Sequence, residues 1–423
     1  MNPSCERCRA ADPSEEHKER DLLIRILTMV ILWSLALARP TFAQVENPER
    51  GENLYGGIVS ILSNEDLVAD ADRGLKALYN MRFDVADSIF SRIDELHPGH
   101  PIGPFLKALV VWWRILPNLA MGASADDEAF LDAMRMVIER SDALLEQNPE
   151  NFDAMFFKGA ALGFRGRLRS NRRQWLLAAA DGRKTLDYIF RIADADTTNG
   201  DFQFGKGVYD YFASVIPDRY PLVRPMMLFF PKADRERGLA ELEFTATEGR
   251  FIKTEAAYFL LQIHLFYEPD FQKAYRYAMW LRNTYPENAY FHVLEGRVFA
   301  RWSQWTRSAT VFTEVVARFD RGQTGYSPSL ASQALYFLGR REMQGGRFEE
   351  ALAAFARVSE LSDNRESDTF FGVNAVLRSG MIYDMQGRRE EALRVYERVL
   401  SMDDRGNSRD RAKEYRKNAY FRF

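Results

Sequence analysis

The sequence predicts an all-α chain in which helix–turn–helix units stack one on the next. Three observations carry that expectation. No stretch alternates apolar and polar residues for long enough to argue for a sheet. GRREMQGGRFEEALAAFARV, from Gly339, and GMIYDMQGRREEALRVYERV, from Gly380, spell the same helix, glycine turn and helix at a spacing of 41 residues. Hydrophobic residues make up 46% of the 423, with a net charge of -3, the balance of an ordinary folded chain. That balance lacks the basic excess of a general nucleic-acid binder. One helix pair cannot bury its apolar face alone, so neighbours must stack into a curved solenoid.

The first 43 residues stand apart from the array. Ile26 to Ala38 carries no charge, follows Arg20 and Arg25, and precedes Arg39 and a stretch ending at Ala43. A basic flank, a short apolar run and small residues are the layout of a secretory signal, with the cut after Ala43. Thirteen uncharged residues fall short of the ~20 that span a bilayer. Counted from Leu22, the same segment reads instead as an uncleaved anchor. The expected compartment is therefore outside the cytoplasm, periplasmic or secreted, or at a membrane through the anchor. Cys5 and Cys8 form a C-x-x-C inside this leader, and no second cysteine pair exists to complete a zinc site. Residues 44–63, with Asn47-Pro48 and Gly56-Gly57, read as a linker into the array.

The array itself is expected over 64–404. In the two clearest copies, Gly339 and Ala351 recur as Gly380 and Ala392, small residues that let two helices approach. Gly346 and Gly387 mark the turn, and Phe355 and Tyr396 fill the space between pairs. Gly74, Ala86, Phe90 and Pro98 fall at the same relative positions, as do Gly296, Ser308 and Phe312. Tyr258, Leu261, Ala274 and Pro286 mark a further copy, and Asn148-Pro149 with Asp153-Ala154 around Gly159 a junction. Gly207 and Gly238 are corresponding landmarks of one more pair, but they stand 31 residues apart where 12 are expected. The proline-rich segment 217–231 is therefore an insertion between two helices of one pair. Residues 405–423 supply a polar closing helix, over 408–418, and a tail.

These positions resemble the tetratricopeptide repeat, whose pattern sets a small residue, an alanine, an aromatic and a proline at fixed places. The resemblance implies a right-handed solenoid whose first helices line a concave groove that binds protein or peptide segments. Laid onto this chain, groove-facing positions are Arg297, Arg301, Tyr336, Arg340, Asn374 and Arg378. Four guanidiniums, a phenol and an amide suit carboxylates, either acidic side chains or a chain terminus. Equally, such arginines pair with acids on adjacent helices. Around the insertion, Ser214, Pro217, Phe229, Phe230, Asp234, Arg235, Glu236, Gly238 and Leu239 are similar to a eukaryotic branch of these repeats linked to lipid droplets and inclusion-body clearance. That likeness implies no catalytic activity.

Chemistry-bearing motifs are missing: there is no Walker-type phosphate loop, no G-x-S-x-G elbow and no H-E-x-x-H. No cofactor, metal or nucleic acid is expected, and the chain reads as a scaffold rather than an enzyme. His97 and His100 flank Pro98-Gly99 at an inter-repeat turn and read as solvated imidazoles. His264 lies on an apolar helix as a core residue, and His292 shows no evident partner. Trp112, Trp113 and Trp305 read as packing, with Trp302 the better candidate for exposure. Arg165, Arg167, Arg169, Arg172 and Arg173 are either a solvated turn or a patch for phosphate, anionic lipid or an acidic partner. Met226, Met227, Leu228, Phe229 and Phe230, flanked by Arg219, Arg224 and Lys232, are either a plug on the neighbouring repeat or a tip that docks on a membrane surface or partner.

Overall fold

The computed structural model describes residues 60–219, 224–227, 230–362 and 367–421. The leader, its cut site, Cys5 and Cys8, and most of the 44–63 linker lie outside them. Two compact units divide the chain, one ending at Leu260 and one beginning at Leu261. Among the described residues every regular element is helical.

The N-terminal unit holds α1 (Glu65–Tyr79), α2 (Phe83–Leu96), α3 (Ile102–Ile115), α4 (Asp126–Gln147), α5 (Phe152–Asn171), α6 (Trp175–Ala195), α7 (Gly200–Arg219), α8 (Arg235–Glu248) and the start of α9 (Lys253–Phe266). The C-terminal unit holds the rest of α9, then α10 (Phe271–Thr284), α11 (Ala289–Arg301), α12 (Trp305–Asp320), α13 (Pro328–Gln344), α14 (Phe348–Glu360), α15 (Phe370–Met385), α16 (Arg389–Ser401) and α17 (Ser408–Lys417). Within each unit a helix packs chiefly on its neighbours in sequence, the pattern of stacked hairpins.

Local chemistry sets where the helices begin. Asn64, Asn151, Asn288, Asp270, Ser327 and Thr369 each cap a helix by accepting the backbone N–H three residues on. Inside each pair, the spacing of small and aromatic residues is realised as contact. A Cβ on Gly296, Gly339 or Gly380 would lie 2.6 Å from the ring of Phe312, Phe355 or Tyr396, and Gly74 meets Phe90 in the same way. Glycine is required there because the buried aromatic of the second helix rests on the first helix's backbone.

The turns within pairs are equally regular. Met81, Arg173, Ser303, Gly346 and Gly387 occupy the middle of five three-residue turns, all with φ between 59° and 74°. Two of these positions carry the glycine that a left-handed residue favours. The other three tolerate a side chain at a cost of ~1 kcal/mol. Three pairs depart from this turn: α3–α4, joined through a 3₁₀ helix Leu116–Met121, α7–α8, and α9–α10, joined by four residues, 267–270. In the second, α7 runs on through Pro217 to Arg219, and a one-turn helix covers Arg224–Met227. The backbones at Gly207 and Gly238 touch: a Cβ on Gly207 would stand 3.2 Å from the Gly238 carbonyl oxygen. α7 and α8 are thus one pair despite the 31 residues between these glycines.

Candidate functional site

In the C-terminal unit, the six residues assigned to the groove lie on α11, α13 and α15, and their four arginines each lie over an aromatic ring. The Arg297 and Arg301 guanidiniums stand 5.1 and 5.0 Å from the Phe266 centroid. That of Arg340 lies 5.4 Å from Trp305, 5.7 Å from Phe337 and 5.9 Å from Tyr336. Arg378 stacks 5.7 Å from Tyr336 and donates from Nε to its hydroxyl at 2.9 Å. Each such contact contributes ~0.5–2 kcal/mol and fixes the plane of the guanidinium.

The six differ in access. Arg297, Arg301 and Arg340 are half-buried, whereas Tyr336, Asn374 and Arg378 are buried. Asn374 is covered by the chain that leads into α17: its amide donates to the Phe370 and Arg405 carbonyls at 2.9 and 3.2 Å. The reachable part of this surface therefore centres on α11 and α13. Trp302 is half-buried beside Tyr275, at 6.3 Å between ring centroids.

The N-terminal unit has a different interior. Glu255, in the first turn of α9, is fully enclosed and meets the last turns of α1 and α3. Its Oε1 accepts from Trp113 Nε1 at 3.2 Å and from the Tyr79 hydroxyl at 3.5 Å. Arg167 of α5 lies beside it, stacked 5.1 Å from Trp112 and 5.3 Å from Phe259. Burial pushes the Glu255 carboxyl up to about 7, against the pull of Arg167 and the two hydrogen bonds. Nearby, Asp201 of α7 accepts the backbone N–H groups of Arg250, Phe251 and Ile252 at 3.0, 3.1 and 3.0 Å. That carboxylate fixes the start of α9 and so the position of Glu255. Sequence reasoning passed over this cluster. Its one visible trace is a carboxylate just before the apolar run AAYFLL.

The arginine run is placed on α5 and in the turn after it. Arg165 and Arg169 both reach buried Asp181, at 2.6 and 2.7 Å. Arg172 pairs with Asp127 through two nitrogens and donates to the Leu119 carbonyl at 2.7 Å. Arg173, exposed, is the left-handed turn residue. Of the 226–230 run, Leu228, Phe229 and the Met226 side chain lie outside the described residues, while Met227 and Phe230 are half-buried. The base of that segment is fastened: the Tyr209 hydroxyl donates to the Pro231 carbonyl at 2.7 Å, and Arg237 grips Asp210 at 2.7 and 2.8 Å.

His100, His264 and His292 sit in packed surroundings. His100 is largely enclosed rather than solvated; its ring meets Phe157 edge-on, and burial with nearby His97 and Arg140 lowers it to about 4. His292 has a partner after all, the Tyr326 hydroxyl at 3.0 Å, and burial holds it neutral at about 3. His264 is buried, stacked on Tyr277. A cavity of about 200 Å³ beside His100, Asn148 and Asn151 is bounded by Asp153, which accepts from Ser60 and the Ile61 N–H, both at 2.7 Å. Among the described residues no three His, Cys, Asp or Glu side chains gather to hold a metal, and no helix is long and apolar enough to cross a membrane.

A model of the tetratricopeptide repeat family matches residues 293–365, from within α11 to just beyond α14. No curated protein matches the chain in sequence. Solved structures resemble it over most of its length. The yeast Tom70 structure is 10% identical, with 84% of this chain and 89% of that one covered and a TM-score of 0.39. A Rap protein complexed with competence and sporulation factor is 11% identical, covering 83% and 79% with a TM-score of 0.35. Naa15/Naa10 bound to HypK-THB is 13% identical, covering 82% and 63% with a TM-score of 0.30.

Proposed function

We propose that this protein is an exported, non-catalytic scaffold that binds a carboxylate-bearing protein or peptide segment on the first helices of its C-terminal unit. Tetratricopeptide helix pairs commonly mediate protein–protein interaction. The observation that supports this chain's specificity is the arginine set on two successive first helices: Arg297 and Arg301 on α11 and Arg340 on α13 each lie over an aromatic ring. A pre-oriented guanidinium loses less rotamer freedom when it grips a carboxylate, and the paired N–H geometry favours that anion. The charge-free run at Ile26 to Ala38 and the small residues ending at Ala43 support export.

The test is binding of a fluorescent peptide rich in Glu and Asp to the full chain, read by anisotropy at low and high salt. We expect saturable, salt-sensitive binding that weakens at least tenfold in R297A/R301A/R340A, since each lost charged hydrogen bond costs ~1.5–3 kcal/mol. Lysine at the same three positions should give intermediate affinity, keeping charge but losing the fork. Unchanged affinity of the alanine variant, with helicity and melting preserved, refutes the assignment.

A further inference from the structure

We propose that Glu255 is a proton-operated clasp of the N-terminal unit, closing the start of α9 onto the ends of α1 and α3 when protonated and loosening them when ionised. The geometry comes first. Tyr79 and Glu255 are 176 residues apart, Trp113 and Glu255 142 apart, yet one carboxyl joins all three. The ends of α1 and α3 are thereby tied to the start of α9. A second tie at the rim, Arg250 to Asp72 at 3.3 Å, joins the same two ends of the unit through exposed side chains and is correspondingly weak. The interior face of α1, α3 and α5, which would otherwise be a groove, is filled by Tyr79, Trp112, Trp113 and Arg167 with Phe259.

The carboxyl is equipped for a neutral state. Oε2 is buried and has no hydrogen-bond partner among the described residues, so ionisation places charge on an oxygen with nothing to receive it. The charged and titratable groups that face the site are the Tyr79 phenol of α1 and the Arg167 guanidinium of α5. From α3 the facing group is the Trp113 indole, which does not titrate; on α9 itself Lys253 turns away to the Thr247 carbonyl. Arg167 favours the carboxylate, but its guanidinium lies over two rings and is half-exposed, and burial outweighs it.

An acid titrating at about 7 when closed and near its ordinary 4.5 when open binds more protons in the closed state. Closure is therefore strongest in acid and is lost as pH rises through about 7. The opening constant should grow on the order of a hundredfold from about pH 5 to about pH 8.

Hydrogen exchange of the full chain, followed by mass spectrometry and corrected for intrinsic rates, reads this opening. Peptides covering the end of α1, the end of α3 and the start of α9 should lose protection together as pH rises, while those of α15 and α16 should not. In Glu255→Gln the amide keeps an acceptor for Trp113, so these three segments should hold constant protection across the range. Trp113→Phe removes a donor that favours the ionised form and should move the midpoint upward. A purely structural role for the indole would instead lower protection equally at every pH. A wild-type response that survives in Glu255→Gln, or a Trp113→Phe midpoint that does not move, overturns the clasp.

Discussion

Asp201 offers the sharpest test of how the N-terminal unit is held. It stands in the first turn of α7 and is 8% exposed, with one carboxylate receiving three consecutive backbone N–H groups just before α9. Replacement by Ala leaves those donors in a buried place with no acceptor. Each orphaned donor costs ~1–3 kcal/mol, and because water can relieve some of it, the sum should be about 3–5 kcal/mol. Asp201→Asn keeps a single acceptor oxygen but turns an NH₂ group towards the same donors, and should cost about 2 kcal/mol. The measurement is urea unfolding followed by indole fluorescence, since Trp112 and Trp113 are buried in this unit. The loss must appear in the transition that those indoles report. An Asp201→Ala chain less than ~1 kcal/mol below wild type would show that the three hydrogen bonds do not set the start of α9.

Two further substitutions test the repeat geometry. Gly339→Ala puts a methyl 2.6 Å from the buried Phe355 ring, so overpacking of ~1–3 kcal/mol should outweigh the helix-propensity gain of ~1 kcal/mol; thermal unfolding should show a net loss, and equal or greater stability would contradict the close approach. Ser303→Gly relieves a left-handed non-glycine turn at an exposed site, and urea unfolding should show a gain of ~0.5 kcal/mol after the unfolded chain's added freedom is subtracted. A loss there would mean that the Ser303 side chain, and not the backbone angle, decides the turn.

The repeats were readable in the sequence because local sterics recur at fixed spacing. Gly339 with Phe355 and Gly380 with Tyr396 are single contacts between adjacent helices, so the sequence offset alone pairs them. The six positions assigned to a groove were legible as residues of first helices, yet not in their access. Asn374 is closed by Arg405 and the approach to α17, 31 residues downstream, and no helical period predicts that cover. The arginine run was legible as charge only. Whether Arg165 and Arg169 face solvent depended on Asp181, which sits one helix on and reads as an ordinary surface acid.

What the sequence by itself determined is the all-helical hairpin stack, because period, caps and small–aromatic pairs are local rules that each segment obeys independently. What only the tertiary structure decided is which polar groups are enclosed. Glu255 meets Tyr79 because the curvature accumulated over successive pairs brings the ends of the N-terminal unit together. That curvature is a sum of small rotations, and no single stretch of residues carries it. A carboxylate's proton affinity therefore rests on enclosure by residues as far as 176 positions away in the chain.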